Sequence, residues 1–144
     1  MNQNTPFYEY GYPIRVIFGD TDQMGVVYYG NYMRYFEGAR AGLLRDYGYS
    51  GKDLERWGVG FPVVTVHADY KLPAFYEDEL TVVVWISEQR GASLQFDYRI
   101  ERGADILVTG RTRHACIRSQ SGRPTRVPKE LAMAIDSRLS SMAS

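Results

Sequence analysis

The residues Phe18-Gly19-Asp20-Thr21-Asp22-Gln23-Met24-Gly25-Val26-Val27-Tyr28-Tyr29-Gly30-Asn31-Tyr32 place two carboxylates one residue apart just before a helix-forming run. Gly25 permits a sharp turn, and Gly30-Asn31 suits a helix start. The first N–H groups of a helix lack intrahelical acceptors, and the macrodipole makes that end electropositive. An acyl oxygen that turns negative during attack could be held there while a carboxylate from the loop delivers water or attacks directly. The other reading of an isolated Asp-x-Asp is that Asp20 and Asp22 only cap turns, where aspartate is common.

Such a loop needs elements to hold it. Ahead of it, Ile14, Val16 and Phe18 suggest a short strand over residues 12–18, ended by Gly19-Asp20. Behind it, Tyr32, Phe36, Ala39, Leu43 and Tyr47 recur at steps of three or four and predict a helix over 31–47, with Gly48 as its stop. Gly38, Ala39, Ala41 and Gly42 leave parts of that helix bare, so another element is expected to pack closely against it.

The rest of the chain reads as strands. Residues 50–57 form a short connecting helix, with Ser50 and Asp53 at capping-box spacing. A strand is expected over 61–72, ended by Pro73, with Val64, Val66, Ala68 and Tyr70 on one side. Further strands follow over 79–88, 94–101 and 106–118, the last two forming a hairpin around Gly103-Ala104. Residues 119–128 are loop, and Pro128 opens a last helix to about residue 139. Strands segregated from one dominant helix argue for α+β with an antiparallel sheet, in one domain spanning 1–144.

Composition narrows the function. The 17 basic and 17 acidic residues cancel, so there is no broad electrostatic footprint for nucleic acid or an anionic membrane. The single Cys116 excludes an intrachain disulfide framework and reads as a buried apolar residue. Two histidines, His67 and His114, do not support a zinc site, and both fall in strand patterns. Residues 1–13 resemble neither a signal peptide nor a membrane span, which makes a cytoplasmic protein the expectation. Twelve tyrosines, several of them between 28 and 35, suit a pocket or interface that is packed yet partly wet.

Taken together, Asp20-Thr21-Asp22, Gly25-Val26-Val27-Tyr28, Asn31-Tyr32 and Phe36-Glu37-x-Ala39-Arg40 resemble the 4-hydroxybenzoyl-CoA thioesterase-like hotdog enzymes, including their Tol-Pal-associated acyl-CoA thioesterase branch. Ala68-Asp69-Tyr70-x-x-Pro73-Ala74, Asp78-Glu79-Leu80, Arg90-Gly91-Ala92-Ser93-Leu94 and Thr109-Gly110-x-Thr112 extend the likeness over residues 13–128. The resemblance implies a hotdog fold, a long central helix wrapped by a five- or six-stranded antiparallel sheet, in a homodimer or homotetramer with sites between subunits. It also implies hydrolysis of a short-chain or aromatic acyl-CoA. Asp22 would be nucleophile or general base, the Tyr29 N–H would polarise the thioester carbonyl, and Asp20 would support them. Arg90 and Gly91, helped by Arg123 and Arg126, would meet the coenzyme A phosphates. Coenzyme A enters as part of the substrate, and no resident cofactor or metal is implied.

One residue departs from the pattern. The Tol-Pal branch usually carries histidine where this chain has Tyr29, so a mechanism through that imidazole is unavailable, while a backbone donor is unaffected. Binding of acyl-CoA or acyl carrier protein without turnover is the alternative, since fold does not fix function. Dehydratase chemistry on related folds uses a histidine near the helix, which this loop lacks.

Overall fold

The computed structural model describes residues 8–143; the part of the leader reading that falls on residues 1–7 lies outside them. Strand β1 (Tyr10–Arg15) leads through a 3-10 turn (Phe18–Asp20) and the acidic loop to α1 (Asn31–Asp46). A short α2 (Gly51–Trp57) and β2 (Val59–Gly60) connect to β3 (Val63–Tyr70), β4 (Glu79–Arg90), β5 (Ser93–Arg102) and β6 (Asp105–Ala115). Strand β7 (Ile117–Arg118) and α3 (Lys129–Ala143) complete the chain. Five strands form one antiparallel sheet in the order β1-β4-β5-β6-β3, and β2 pairs with β7. The expected α+β hotdog architecture is present, with five strands around one long helix.

The alternation of β5 explains how the sheet grips α1. Leu94, Phe96, Tyr98 and Ile100 are buried toward the helix, and the residues between them face outward. Phe36 of α1 stacks on Tyr98 with ring centroids 4.1 Å apart. Its ring also lies where a side chain at residue 110 would be: a Cβ on Gly110 would come within 2.6 Å of it. The bare stretch of α1 is filled from β1, since a Cβ at Gly38 or Gly42 would meet the Tyr12 or Tyr10 ring at 2.8 and 2.6 Å. The small residues therefore admit two tyrosine rings from the strand beside the helix.

Several boundaries differ from expectation for local reasons. The first strand stops at Arg15 because Val16 turns to exchange backbone hydrogen bonds with Asp78 (2.9 Å) and Glu77 (2.9 Å), and residues 18–20 coil into the 3-10 turn. The strand expected over 61–72 is shortened to Val63–Tyr70. The run 106–118 is divided at Cys116, whose N–H bonds the Ala92 carbonyl at 2.7 Å, so β7 pairs elsewhere. Helix α1 ends at Asp46 and Gly48 follows with φ +101°. The capping box of α2 is present, with the Ser50 N–H donating to the Asp53 carboxylate at 2.7 Å. Pro128 immediately precedes α3 and its carbonyl accepts the Ala132 N–H, and the helix runs past residue 139 to Ala143.

Candidate active site

The acidic loop is a small hairpin closed on itself. Thr21 bridges Val27, the Asp22 N–H donates to the Val26 carbonyl at 2.9 Å, and Gly25 takes φ +81° at the tip. Its far arm is pinned to the segment after β3 by the Val27 N–H on the Ala74 carbonyl (2.9 Å). From there the chain enters α1 through tight turns, with the N–H groups of Asn31, Tyr32 and Met33 donating to the carbonyls of Tyr28, Tyr29 and Gly30. Among the described residues the N–H groups of Tyr29 and Gly30 donate to no protein acceptor. They are the open donors at the positive end of α1.

Asp20 holds this junction together. It is 4% exposed, and its carboxylate accepts hydrogen bonds from the Tyr35 hydroxyl at 2.7 Å and from the Arg34 guanidinium. Its carbonyl accepts the Tyr28 N–H at 3.0 Å and the Asn31 side-chain amide at 2.8 Å. Burial and then the bond to Asp20 push the Tyr35 hydroxyl pKa far up, so the phenol keeps its proton and donates. The resemblance gave Asp20 a supporting role. Here its four partners tie the loop to α1, two of them fourteen and fifteen residues along the chain.

Asp22 is exposed on the tip side of the Thr21–Val27 bridge, and Tyr29 lies on its helix side. One Asp22 oxygen accepts the N–H of Met24 at 2.8 Å and of Val26 at 3.5 Å, which is the turn-capping geometry weighed from the sequence. Its second oxygen accepts no hydrogen bond among the described residues. The Tyr29 ring stacks on Tyr70 with centroids 4.7 Å apart, and Tyr70 also meets Tyr32 at 5.4 Å. These three rings, with Val26, Leu72 and Pro73, line a cavity of about 200 Å³ beside the helix start. Asp22 is not part of that lining. Burial, then the neighbouring Tyr70, pushes Tyr32 up to about 12, so the wall is neutral there at physiological pH.

Arg90 and Gly91 lie elsewhere. They form the β4–β5 turn, with Gly91 at φ +57° and Arg90 paired to Glu88 at 2.8 Å. The opposite end of β4 pairs with Ile14 and Arg15, next to the acidic loop. At about 3.3 Å per residue, the span of β4 separates the two by roughly 35 Å within one chain. One chain therefore does not bring Arg90 to Asp22 or Tyr29. Arg123 lies on the same loop as the β7 partner Pro124, and the Val127 N–H bonds the Gly91 carbonyl at 2.9 Å, so the late loop borders the Arg90 turn.

The histidines lie on β6 and β3. His114 is 1% exposed; its Nδ1 lies 2.8 Å from the Phe61 carbonyl and its Nε2 2.9 Å from the Thr112 hydroxyl. Burial lowers its pKa to about 4, against the Phe61 bond. His67 is exposed on β3, beside Asp69 at 3.1 Å. Cys116 is fully buried, and its thiol is pushed up to about 11 by burial.

A dividing feature of the surface is β3. It is one edge of the sheet, β1 being the other, and it is exposed on both faces, with Val63, Val64, Val66 and Tyr70 all more than 40% accessible. Next to it the loop adds Phe18, Met24, Tyr28 and Phe75, each exposed. Exposed apolar side chains are thus gathered on this edge and on the loop beside it.

Comparison with known proteins agrees with this geometry. The model of the thioesterase-like superfamily matches residues 16–135. The acyl-CoA thioesterase YbgC of Haemophilus influenzae is 34% identical over 126 residues, covering 87% of this chain and 93% of its own. The 1,4-dihydroxy-2-naphthoyl-CoA hydrolase of Synechococcus elongatus is 28% identical over 120 residues, covering 81% and 88%. The structure of a DHNA-CoA thioesterase from Staphylococcus aureus superposes with a TM-score of 0.86 at 27% identity, covering 94% of this chain and 93% of that one.

Proposed function

The chain belongs to the thioesterase-like superfamily and is a thioester hydrolase, and from that premise we propose that it cleaves a short-chain or aromatic acyl-CoA to the free acid and coenzyme A. The observation that carries this reading is the pair of open N–H donors at Tyr29 and Gly30, presented at the start of α1 beside a cavity walled by tyrosine rings and edged by Lys71. A thioester carbonyl placed there gains the hydrogen bonds and the helix-end potential as its oxygen becomes negative. Asp22, with one unengaged oxygen, acts from the loop, either adding to the carbonyl carbon or taking a proton from attacking water. Tyr29 contributes its backbone N–H, so its phenol ring is a wall of the site and takes no proton.

The active enzyme is a homo-oligomer in this proposal. Both the apolar edge strand β3 and the remoteness of Arg90 support it. Two copies joined antiparallel along β3 continue the sheet and cover the exposed valines. The same pairing sets the β4–β5 turn of one copy at the end of the sheet where the other presents its acidic loop. Arg90 and Gly91 of that second copy then meet the nucleotide of a coenzyme A whose thioester lies at Tyr29. A cytoplasmic setting belongs to the same reading, on the low cysteine usage.

The test is hydrolysis of a panel of acyl- and aryl-CoA esters by wild type and Asp22→Asn. We expect the variant to lose about a hundredfold or more in kcat at unchanged thermal stability, the scale of removing one transition-state group in other hydrolases. Equal rates in two folded proteins would remove Asp22 from the chemistry. The engagement of one Asp22 oxygen by its own turn favours the second reading, in which acyl-CoA or acyl carrier protein binds without turnover. Tight binding by calorimetry with no thiol released would establish that reading instead.

A further inference from the structure

Tyr70 is the one wall of the 200 Å³ cavity that comes from the edge strand. Its ring is 43% exposed and is held by aromatic contact with Tyr29 and Tyr32, at 4.7 and 5.4 Å. The two partners are fixed from behind: Tyr32 is 2% exposed and is edge-on to Tyr35 at 5.6 Å, and the Tyr29 carbonyl is bonded by the Tyr32 N–H. The cavity is small. About 150 Å³ suffices for a benzene ring in an apolar protein interior, so this space matches a single ring or a short chain in size.

What lies behind Tyr70 gives the ring a purpose. On β3 the residues sharing its face are Ala68 and Val66, opposite Gly110 and Thr112 of β6. This is a row of small and apolar side chains, on the face that α1 reaches with Phe36, extending about 13 Å from Tyr70 to Val66, since strand residues advance about 3.3 Å each. Gly110 leaves its place to the Phe36 ring, and Val66 is 47% exposed. Of the residues on this face of β3, Tyr70 lines the cavity and Ala68 and Val66 do not, so the Tyr70 ring is the side chain of the strand that lies between the cavity and that row.

We propose that Tyr70, stacked on Tyr29, is the acyl-length selector of this enzyme: its ring closes the cavity beside the helix start against the apolar row of β3, restricting the acyl group to one aromatic ring or a short chain. The inference rests on the thioesterase reading above and adds to it the residue that sets selectivity. It acts on ground-state fit of the acyl group, so its signature lies in KM and in the ratio between substrates, while the oxyanion donors are untouched.

The experiment compares benzoyl-CoA with decanoyl-CoA for wild type, Tyr70→Ala and Tyr70→Phe. It adds calorimetric binding of the non-hydrolysable thioethers S-benzyl-CoA and S-decyl-CoA. We expect Tyr70→Ala to raise the decanoyl-to-benzoyl ratio of kcat/KM by about tenfold or more, chiefly through KM, and Tyr70→Phe to keep the wild-type ratio. The thioethers should show the same switch in Kd. A ratio within twofold of wild type in a folded Tyr70→Ala overturns the proposal, as does an equal change in Tyr70→Phe, which would point to the hydroxyl. Should Tyr70→Ala fail to fold, Tyr70→Leu reads the same ratio with the wall shortened but still apolar. If wild type hydrolyses neither ester, the thioesterase reading falls, and the thioether Kd ratio alone decides on Tyr70.

Discussion

Replacing Asp20 by asparagine separates what holds the site from what performs its chemistry. The carboxylate is 6% exposed, with the Tyr35 hydroxyl on one oxygen and the Arg34 guanidinium on the other. Hydrogen bonds to a charged group contribute about 1.5–3 kcal/mol, against about 1 kcal/mol for neutral ones, so neutralising the acceptor of Tyr35 costs about 1 kcal/mol. Arg34 is 56% exposed, and solvent screens its pair to about 1 kcal/mol at most. The two Asp20 backbone bonds are kept, so the loop remains attached. The expected loss is about 2 kcal/mol, which for a chain of this size lowers Tm by roughly 6–10 °C.

The assay is calorimetric unfolding of Asp20→Asn and Asp22→Asn beside wild type, with thioester hydrolysis measured on the same samples. Asp20→Asn should lose stability, and about a third to a half of the loss should vanish in high salt, where the Arg34 pair is screened in the wild type as well. Asp22→Asn should leave Tm within about 2 °C, because its carboxylate is exposed and bonds only its own turn. An Asp20→Asn protein as stable as wild type would refute the assignment of Asp20 as the tie between loop and helix. A large Tm loss in Asp22→Asn would return that residue to a purely structural role.

Acid should unfold the protein through His114. Its pKa is about 4 in the folded chain against the ordinary 6.5, so the unfolded state binds the proton first, and stability present above pH 6.5 falls as pH drops toward 4. Urea unfolding at pH 4.5 and 7.5 should differ by about 2–3 kcal/mol from this residue alone, and His114→Gln should remove that part of the slope; an unchanged slope would refute it. On β3, Val66→Lys puts a charge on an exposed edge residue that the single chain tolerates. Light scattering should then report monomers where wild type gives a larger species, with hydrolysis lost in parallel, and a monomeric wild type at micromolar concentration would contradict the oligomer.

What could be read in advance follows the range of each interaction. Asp22, Tyr29 and the helix start sit within ten residues, so their spacing alone suggested a site, and the bare glycines of α1 anticipated an element packed close to it, though not that β1 would fill the space with tyrosine rings. Asp20 looked like a turn residue because its partners, Arg34 and Tyr35, become neighbours only once α1 has formed and folded back. The strand over 12–18 was overextended because Val16 continues the apolar alternation while its backbone hydrogen bonds go to residues 77 and 78. Tyr70 was legible as a strand residue and as part of the resemblance, but not as a wall of the cavity, since the rings it meets lie some forty residues earlier.

The same limit explains why Arg90 and β3 have to be understood together. Alternation identified β3 as a strand, yet alternation assigns a core face only when something within the chain covers it, and here both faces are open. An exposed edge of eight residues that carries Val63, Val64, Val66 and Tyr70 invites pairing with another chain unless charge or a bulge blocks it; its one carboxylate, Asp69, lies beside His67 near one end, and the bulge between Val63 and Thr65 touches only the other. Self-pairing through an antiparallel edge has twofold symmetry, which exchanges the two ends of the sheet between copies. In the proposed dimer, the turn that lies roughly 35 Å from Asp22 in its own chain would for that reason be carried to the loop end of the other. On that proposal the exposed edge and the remote arginine have one cause, and abolishing the pairing should abolish hydrolysis even though every residue at Tyr29, Asp22 and Tyr70 is intact.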